Sequence, residues 1–211
     1  HHMSAPHPQG LGAQLAMEAA LDQAGIRPSQ VTYVNLHGTA TKSNDDMESL
    51  AVSGLVGDIR CSSTKPFTGH CLGAAGAIEA AVCCLSFLDP NRRLPAHRFD
   101  GNVDPQLSPL QLVGPSTSFE RAENVFFLSN SFAFGGNNCS LVLAMEMDGS
   151  PLAAATDSTA GPVEQRSAVN VLGWSARAEG LPNKRLWKDW LVKGTTMVNN
   201  EDYMPACQEV P

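Results

Sequence analysis

The spacing of apolar and polar positions predicts helices that alternate with short strands, which is the pattern of an α/β layered fold. Ala and Leu recur through residues 11–24, and Leu11, Leu15 and Ala19 share one face of a helix that Gly25 ends. A second helix is predicted at 45–57, because Asp45 and Glu48 have the spacing of a capping box.

Short apolar runs rich in β-branched and aromatic residues predict the strands. The predicted strands are 31–36, 59–62, 125–129 and 139–147, with 110–113 as a weaker fifth candidate. The strands predicted at 125–129 and 139–147 flank a glycine-containing loop at 130–138, so we expect them to pair as a hairpin.

Residues 61–89 contain the least polar segment of the chain. We predict a buried helix over 70–88, because it is apolar on all sides and Glu79 is its only ionisable carboxylate. Glycines on its opening turns predict the close approach of another backbone; they are Gly69, Gly73 and Gly76. His70 would lie at the helix N-terminus, where the dipole favours a neutral imidazole.

Composition divides the chain into four parts. Residues 1–3 are interpreted as the remnant of a purification tag, and 4–147 as the folded domain. Residues 148–167 are rich in Ser, Thr, Ala, Pro and Gly and are predicted to be a linker. Residues 168–211 form a tail that contains all three tryptophans.

Charge and cysteine usage narrow the functional classes. A net charge of -7 and a pI near 5.3 argue against nucleic acid as a partner. The apolar run at 71–88 is interrupted by Glu79 and small residues, so no membrane span is predicted. The six cysteines form no C-x-x-C pair, and we interpret them as reduced, buried residues of a cytoplasmic protein. Cys and His at ligand spacing are also missing, so no metal is expected.

Three polar segments each follow a predicted strand: 37–41, 63–70 and 130–138. Carboxyl ends of strands are where open α/β sheets bind ligands. Alone, His37 is more often a structural histidine, Lys65 a solvated lysine, and the glycine loop a simple turn. Together, two histidines, a lysine and unhindered backbone N–H groups would stabilise an enolate or a tetrahedral oxyanion. Neither a G-x-S-x-G elbow nor a dinucleotide fingerprint occurs.

The ordered motifs HGTAT, then SSTKPFTGH with GAAGAIE, then SNSFAFGGN closely resemble the C-terminal half of β-ketoacyl-acyl-carrier-protein synthases. The resemblance extends over residues 7–147 and is nearest the elongating synthases of fatty acid, aryl polyene and type II polyketide pathways. It implies an α/β fold that is the C-terminal half of a thiolase-like αβαβα layered fold, and decarboxylative Claisen condensation as the reaction.

The resemblance implies a role for each matching residue. His37 and His70 would bind the malonyl thioester carbonyl and promote decarboxylation, with Lys65 as the active-site lysine. Glu48 would pair with Lys65, and Phe134 would gate the acyl pocket and add its backbone N–H to an oxyanion hole. The remaining implied residues contact the phosphopantetheine arm or let the loop move; they are Thr39, Thr41, Gly135 and Gly136.

The family's nucleophilic cysteine lies in its N-terminal half, and no segment here matches it, so the chain resembles half of an enzyme. Cys61 and Cys71 do not occupy nucleophile positions. Expected partners are acyl carrier protein, which brings the phosphopantetheine so that no resident cofactor is implied, and a missing N-terminal half or partner ketosynthase chain. A homo- or heterodimer is expected.

Two alternatives stay open. The first is a non-catalytic ketosynthase-like partner or remnant that binds carrier protein or dimerises, although such partners usually lose their histidines. The second is a metal-dependent hydrolase that uses His37, His70 and Asp45, whose ligand spacing is poor. Residues 168–211 are either the start of a second ketosynthase-like unit or a disordered extension.

Overall fold

The computed structural model describes residues 5–120, 122 and 124–146. The predictions for 1–3, 148–167 and 168–211 lie outside the described residues. The helices are α1 (Leu11–Ala24), α2 (Lys42–Val56), the short α3 (Lys65–Thr68) and α4 (Ala75–Phe87). The strands are β1 (Val31–Asn35), β2 (Arg60–Ser62), β3 (Gln111–Leu112), β4 (Asn124–Phe132) and β5 (Asn138–Glu146). All five predicted strands and the α/β alternation are confirmed.

The five strands form one sheet in the order β3-β2-β1-β4-β5. The pairings of β1 with β2 and β4, and of β2 with β3, are parallel. The predicted hairpin of the last two strands is confirmed, because β4 and β5 pair antiparallel from Asn124↔Glu146 to Phe132↔Asn138.

The central strands are buried on both faces, as parallel strands between helices should be. On one face Val34 and Leu128 pack with α1 and α2. On the other face Tyr33 and Phe127 meet edge to face, 5.0 Å between ring centroids, and pack with α4. The alternation of neighbouring residues between two cores fixes the strand register.

Helix α2 begins three residues before the predicted N-cap. Its N-cap is Thr41, and Asp45 lies inside the first turn, so the predicted capping box is wrong. The physical reason is that the Glu48 carboxylate accepts the backbone N–H groups of the loop that follows β1, rather than a backbone N–H at the start of the helix.

The predicted continuous helix over 70–88 is also wrong. The chain forms α3, a break at His70, a single 3-10 turn over Leu72–Ala74, and then α4. His70 therefore does not lie at the N-terminus of the long helix, and the dipole argument for its charge does not apply. The predicted backbone approach at these glycines is wrong as well. A Cβ on Gly76 would meet the side chain of Ser131, whereas a Cβ on Gly69 or Gly73 would meet none of the described residues.

The cysteines are only partly as expected. The five in the described residues are free, but Cys71, Cys84 and Cys139 are exposed, and only Cys61 and Cys83 are buried.

Among the described residues, no helix is long and apolar enough to cross a membrane.

Candidate active site

The loops after β1 and β2 meet at the carboxyl edge of the parallel strands. Leu36 donates its backbone N–H to the carbonyl of Ser62 at 2.8 Å, which extends the pairing of the two strands into their loops. The Ser63 hydroxyl then donates to the carbonyl of Gly38 at 3.2 Å. The sheet topology thus places the segments with His37 and with Lys65 and His70 side by side.

His37 and His70 are neighbours. Their ring centroids lie 5.5 Å apart with the planes nearly perpendicular, and Phe132 at the end of β4 packs against His37 at 5.9 Å. His37 is 8% exposed, whereas His70 is exposed. Burial, together with the nearby Lys65 and His70, lowers the pKa of His37 to about 4, so its imidazole is neutral near pH 7.

No described neighbour fixes the tautomer of His37, since its buried Nδ1 has no hydrogen-bond partner among the described residues. A neutral imidazole has one N–H donor and one acceptor nitrogen. The proton can therefore sit on the nitrogen that faces a bound oxygen.

Glu48 holds the loop that contains His37. Its carboxylate accepts the backbone N–H of His37 at 2.6 Å and of Gly38 at 2.8 Å, and the Asn44 amide at 3.0 Å. Glu48 is 3% exposed, and burial raises its pKa while these donors work against the rise. The carboxylate therefore orients the loop through the backbone.

The ammonium of Lys65 pairs with Glu79 of α4, and both side chains are buried. The expected Lys65–Glu48 ion pair is wrong, because Glu48 already accepts three other donors. Burial raises the pKa of Glu79, opposed first by Lys65 and then by the amide of Asn35. This ion pair joins the lysine segment to the core-facing side of α4.

The other predicted site residues lie at the rim. The hydroxyls of Thr39 and Thr41 are 3.1 Å apart just before α2. Phe134 is 79% exposed in the β4–β5 turn, where Gly135 and Gly136 both have positive φ of 77°. On this part of the chain it is Phe132, not Phe134, whose ring contacts His37.

Sequence reasoning missed Glu79 and Phe132. A signal for Glu79 was present, since one carboxylate in an otherwise apolar helix needs a buried partner. Phe132 had no such signal, because an aromatic residue inside a strand is ordinarily core.

The structure gives no support to the metal hypothesis: within the described residues, no group of three His, Cys, Asp or Glu side chains could hold a metal ion. Asp45 interacts with Asn44 on α2. Cys61 beneath the site is buried, and burial raises its thiol pKa to about 12, so it is not a ready nucleophile.

Comparison with known proteins gives consistent matches. Residues 1–91 match the family described as beta-ketoacyl synthase, C-terminal domain. The chain is 40% identical over 151 residues to the chloroplastic 3-oxoacyl-[acyl-carrier-protein] synthase II of Arabidopsis thaliana, covering 68% of this chain and 26% of that protein.

Solved structures agree. A ketosynthase from Xenorhabdus doucetiae, solved in complex with its chain length factor, is 48% identical with a TM-score of 0.61, over 69% of this chain and 36% of that chain. A type II polyketide ketosynthase solved with its acyl-carrier protein is 30% identical with a TM-score of 0.57, over 69% and 35%. The chain thus spans about a third or less of the length of these relatives. The resemblance to the C-terminal half of the synthases, with its thiolase-like α/β fold, is confirmed.

Proposed function

We propose that this chain, which has the fold and motifs of the C-terminal half of a β-ketoacyl synthase, supplies the histidine half of a site for decarboxylative condensation. The observation that supports this most is the pairing of a buried, neutral His37 with His70, ring edge to ring face, at the carboxyl edge of the parallel strands.

The chemistry needs donors at one oxygen. When a malonyl thioester loses carbon dioxide, the bond from its α-carbon to the carboxylate breaks and the electron pair forms an enolate. The negative charge then lies mainly on the thioester oxygen, where N–H groups of His37 and His70 would donate to it. Preorganised donors of this kind are worth about 10²–10³ in rate each. A neutral His37 suits this role, because it donates without carrying a charge into a buried site.

Condensation then joins the enolate carbon to the carbonyl carbon of an acyl thioester, and the thiol that held the acyl group leaves as a thiolate. We assign that thiol to a cysteine outside this chain, as the family resemblance implies. The buried, high-pKa Cys61 supports this assignment.

In this proposal Lys65 and Glu48 position the two histidines and do not contact the reacting atoms. The Lys65–Glu79 pair fixes the segment before His70 against α4, and Glu48 fixes the backbone of His37. Thr39 and Thr41, exposed or half-exposed at the rim, would contact the phosphopantetheine arm, and Phe134 with Gly135 and Gly136 would form a movable gate.

Acyl carrier protein is the proposed donor of both thioesters. A ketosynthase solved with its acyl-carrier protein is similar to this chain, which supports the choice of partner. The association with a partner chain is proposed on the same ground, from the ketosynthase solved with its chain length factor.

The test uses the 211-residue chain alone and the same chain together with a nucleophile-bearing half, either in one longer polypeptide or as a partner chain; this assembly is called the whole protein below. Each is incubated with acyl and malonyl thioesters of carrier protein, and adducts are located by intact mass and peptide mapping. We expect a β-ketoacyl product from the whole protein and no acyl adduct on this chain. An adduct on Cys61 or Cys71 would contradict the half-site, and absence of product would favour the non-catalytic partner.

A further inference from the structure

His97 lies outside all three motif segments, in the long connector between α4 and β3. Its backbone N–H donates to the carbonyl of Val113 at 2.8 Å, which anchors the connector beside β3. Its imidazole is half-buried and its centroid is 5.5 Å from that of Phe99. The proposed chemistry assigns no role to this histidine.

The imidazole of His97 accepts a hydrogen bond from the chain just after β2. Its Nδ1 lies 3.0 Å from the backbone nitrogen of Ser63, which donates. Ser63 is 1% exposed, so its N–H needs a partner within the protein. Since β2 ends at Ser62, none of the described strands provides that partner.

Ser63 is the point where the two histidine-bearing segments are tied together. Its hydroxyl donates to the carbonyl of Gly38, the residue after His37, and accepts the backbone N–H of Lys65 at 3.3 Å. The position of Ser63 therefore sets the position of both segments at once.

We propose that His97 is a positioning residue of the histidine site, which holds Ser63 through Nδ1 and so keeps the segment of Lys65 and His70 in register with that of His37. The inference rests on the proposed function for its catalytic consequence, but the tie itself does not. Burial lowers the pKa of His97, which leaves Nδ1 with a free lone pair at neutral pH.

Three substitutions distinguish the effect of the Nδ1 acceptor of His97 from that of the rest of its ring. In His97→Asn the side-chain oxygen can stand where Nδ1 stood, whereas in His97→Gln the amide reaches toward the place of Nε2. His97→Leu keeps the bulk and removes both nitrogens. We expect Ser63 to exchange its amide hydrogen about tenfold faster in the Gln and Leu variants of the full chain, as loss of one hydrogen bond predicts, and within about threefold of wild type in His97→Asn.

A second readout tests positioning itself. The His37 and His70 ring signals in NMR spectra depend on how the two rings face each other, so both should shift in His97→Gln and His97→Leu and stay in place in His97→Asn. If Ser63 exchange responds and the ring signals do not, His97 is structural only and the inference is overturned. Equal exchange in all four proteins, or no recovery in His97→Asn, also overturns it.

Turnover by the whole protein separates this inference from the proposed function. We expect kcat for the β-ketoacyl product to fall about tenfold in His97→Gln and His97→Leu, because the donors are displaced, and to be restored in His97→Asn. If the wild-type whole protein makes no product, the proposed function fails, and the exchange and ring signals still decide the role of His97.

Discussion

At the residue scale, the state of His37 is set by burial, which the sequence does not reveal. The helix dipole predicts a neutral imidazole at His70, but His70 lies in a helix break and is exposed. His37 follows a buried strand and is itself buried. Burial therefore keeps the imidazole of His37 neutral, whereas the sequence analysis expected a helix dipole to keep that of His70 neutral.

The low pKa of His37 predicts how stability depends on pH. The unfolded chain binds a proton at His37 near pH 6.5, and the folded chain only near pH 4. Between these values the unfolded state holds more protons, so the free energy of unfolding rises with pH. Acidification from pH 7 to 4 should therefore cost up to about 3 kcal/mol through this residue.

Chemical denaturation of the full chain across this pH range measures the effect. His37→Gln, which cannot titrate, should flatten the pH dependence. Thr39→Val, which changes a side chain at the rim but no titratable group, is the control and should keep the wild-type slope. Identical slopes for wild type and His37→Gln would contradict the assigned burial effect.

The buried Lys65–Glu79 pair predicts a cost when one partner is removed. Lys65→Met or Glu79→Leu alone leaves the other charge buried without its counterion, and we expect each to lower the free energy of unfolding by about 3–5 kcal/mol. The double variant should recover most of this loss. Lys42→Met, which breaks the exposed Lys42–Asp46 pair, is the matched control and should cost less than about 1 kcal/mol. Additive losses in the double variant would show that the pair is not coupled.

At the element scale, the contact between the two histidine-bearing loops depends on Gly38. Its φ is +48°, and a Cβ there would overlap the side chain of Ser63. Gly38→Ala should separate the loops and lower the free energy of unfolding by roughly 1–3 kcal/mol.

Gly54 offers the opposite case for comparison. It lies in α2, and a Cβ at this position would meet no described atom within 4 Å apart from its own stretch of helix, so Gly54→Ala should stabilise the chain by up to about 1 kcal/mol. Thermal unfolding of both variants is the measurement. Equal effects of the two substitutions would contradict the steric account of the loop contact.

Sequence patterns predict the ends of an element well when local signals set them. They predict the ends poorly when contacts with residues distant in the sequence set them. Helix α1 is predictable to its ends, because its run of Ala and Leu and the terminating Gly25 are local signals. Its buried face is not, because Leu11 and Leu15 are exposed, whereas Ala13, Met17 and Leu21 pack on the sheet. The start of α2 is not, because Glu48 accepts the backbone N–H groups of His37 and Gly38 rather than one at the start of its own helix. The break at His70 is also hidden, because uniform apolar composition does not show where a chain turns.

At the scale of the whole molecule, two large apolar side chains that flank α4 are exposed. Leu88 is 60% exposed at its C-cap, and Leu72 is 75% exposed in the preceding turn. Exposed apolar patches often mark interfaces, and the relatives are about three times as long as the matched region.

Polar substitution of these two exposed leucines should change how the chain associates. Leu72→Gln combined with Leu88→Gln should reduce self-association of the full chain and weaken assembly with the nucleophile-bearing half by at least about tenfold, with stability within about 0.5 kcal/mol of wild type. Leu50→Gln on α2, also exposed, is the control and should change neither. Sedimentation velocity measures both effects, and unchanged assembly would place the interface elsewhere.

The sequence is sufficient for the fold class and for bringing together His37, His70 and Lys65, because their motifs follow adjacent parallel strands. It is insufficient for the partners of the charged groups, since Glu79 is 14 residues from Lys65 along the chain. Such pairings depend on how α4 packs on the sheet, which local patterns do not contain.

The most direct test of the account is release of carbon dioxide from malonyl-carrier protein by the whole protein. His37→Ala and His70→Ala should each slow release by about 100-fold or more, because each removes a donor to the enolate oxygen. Acyl transfer to the enzyme should continue, and Lys42→Met should behave as wild type. Release at the wild-type rate in both histidine variants would contradict the assignment of this pair to decarboxylation.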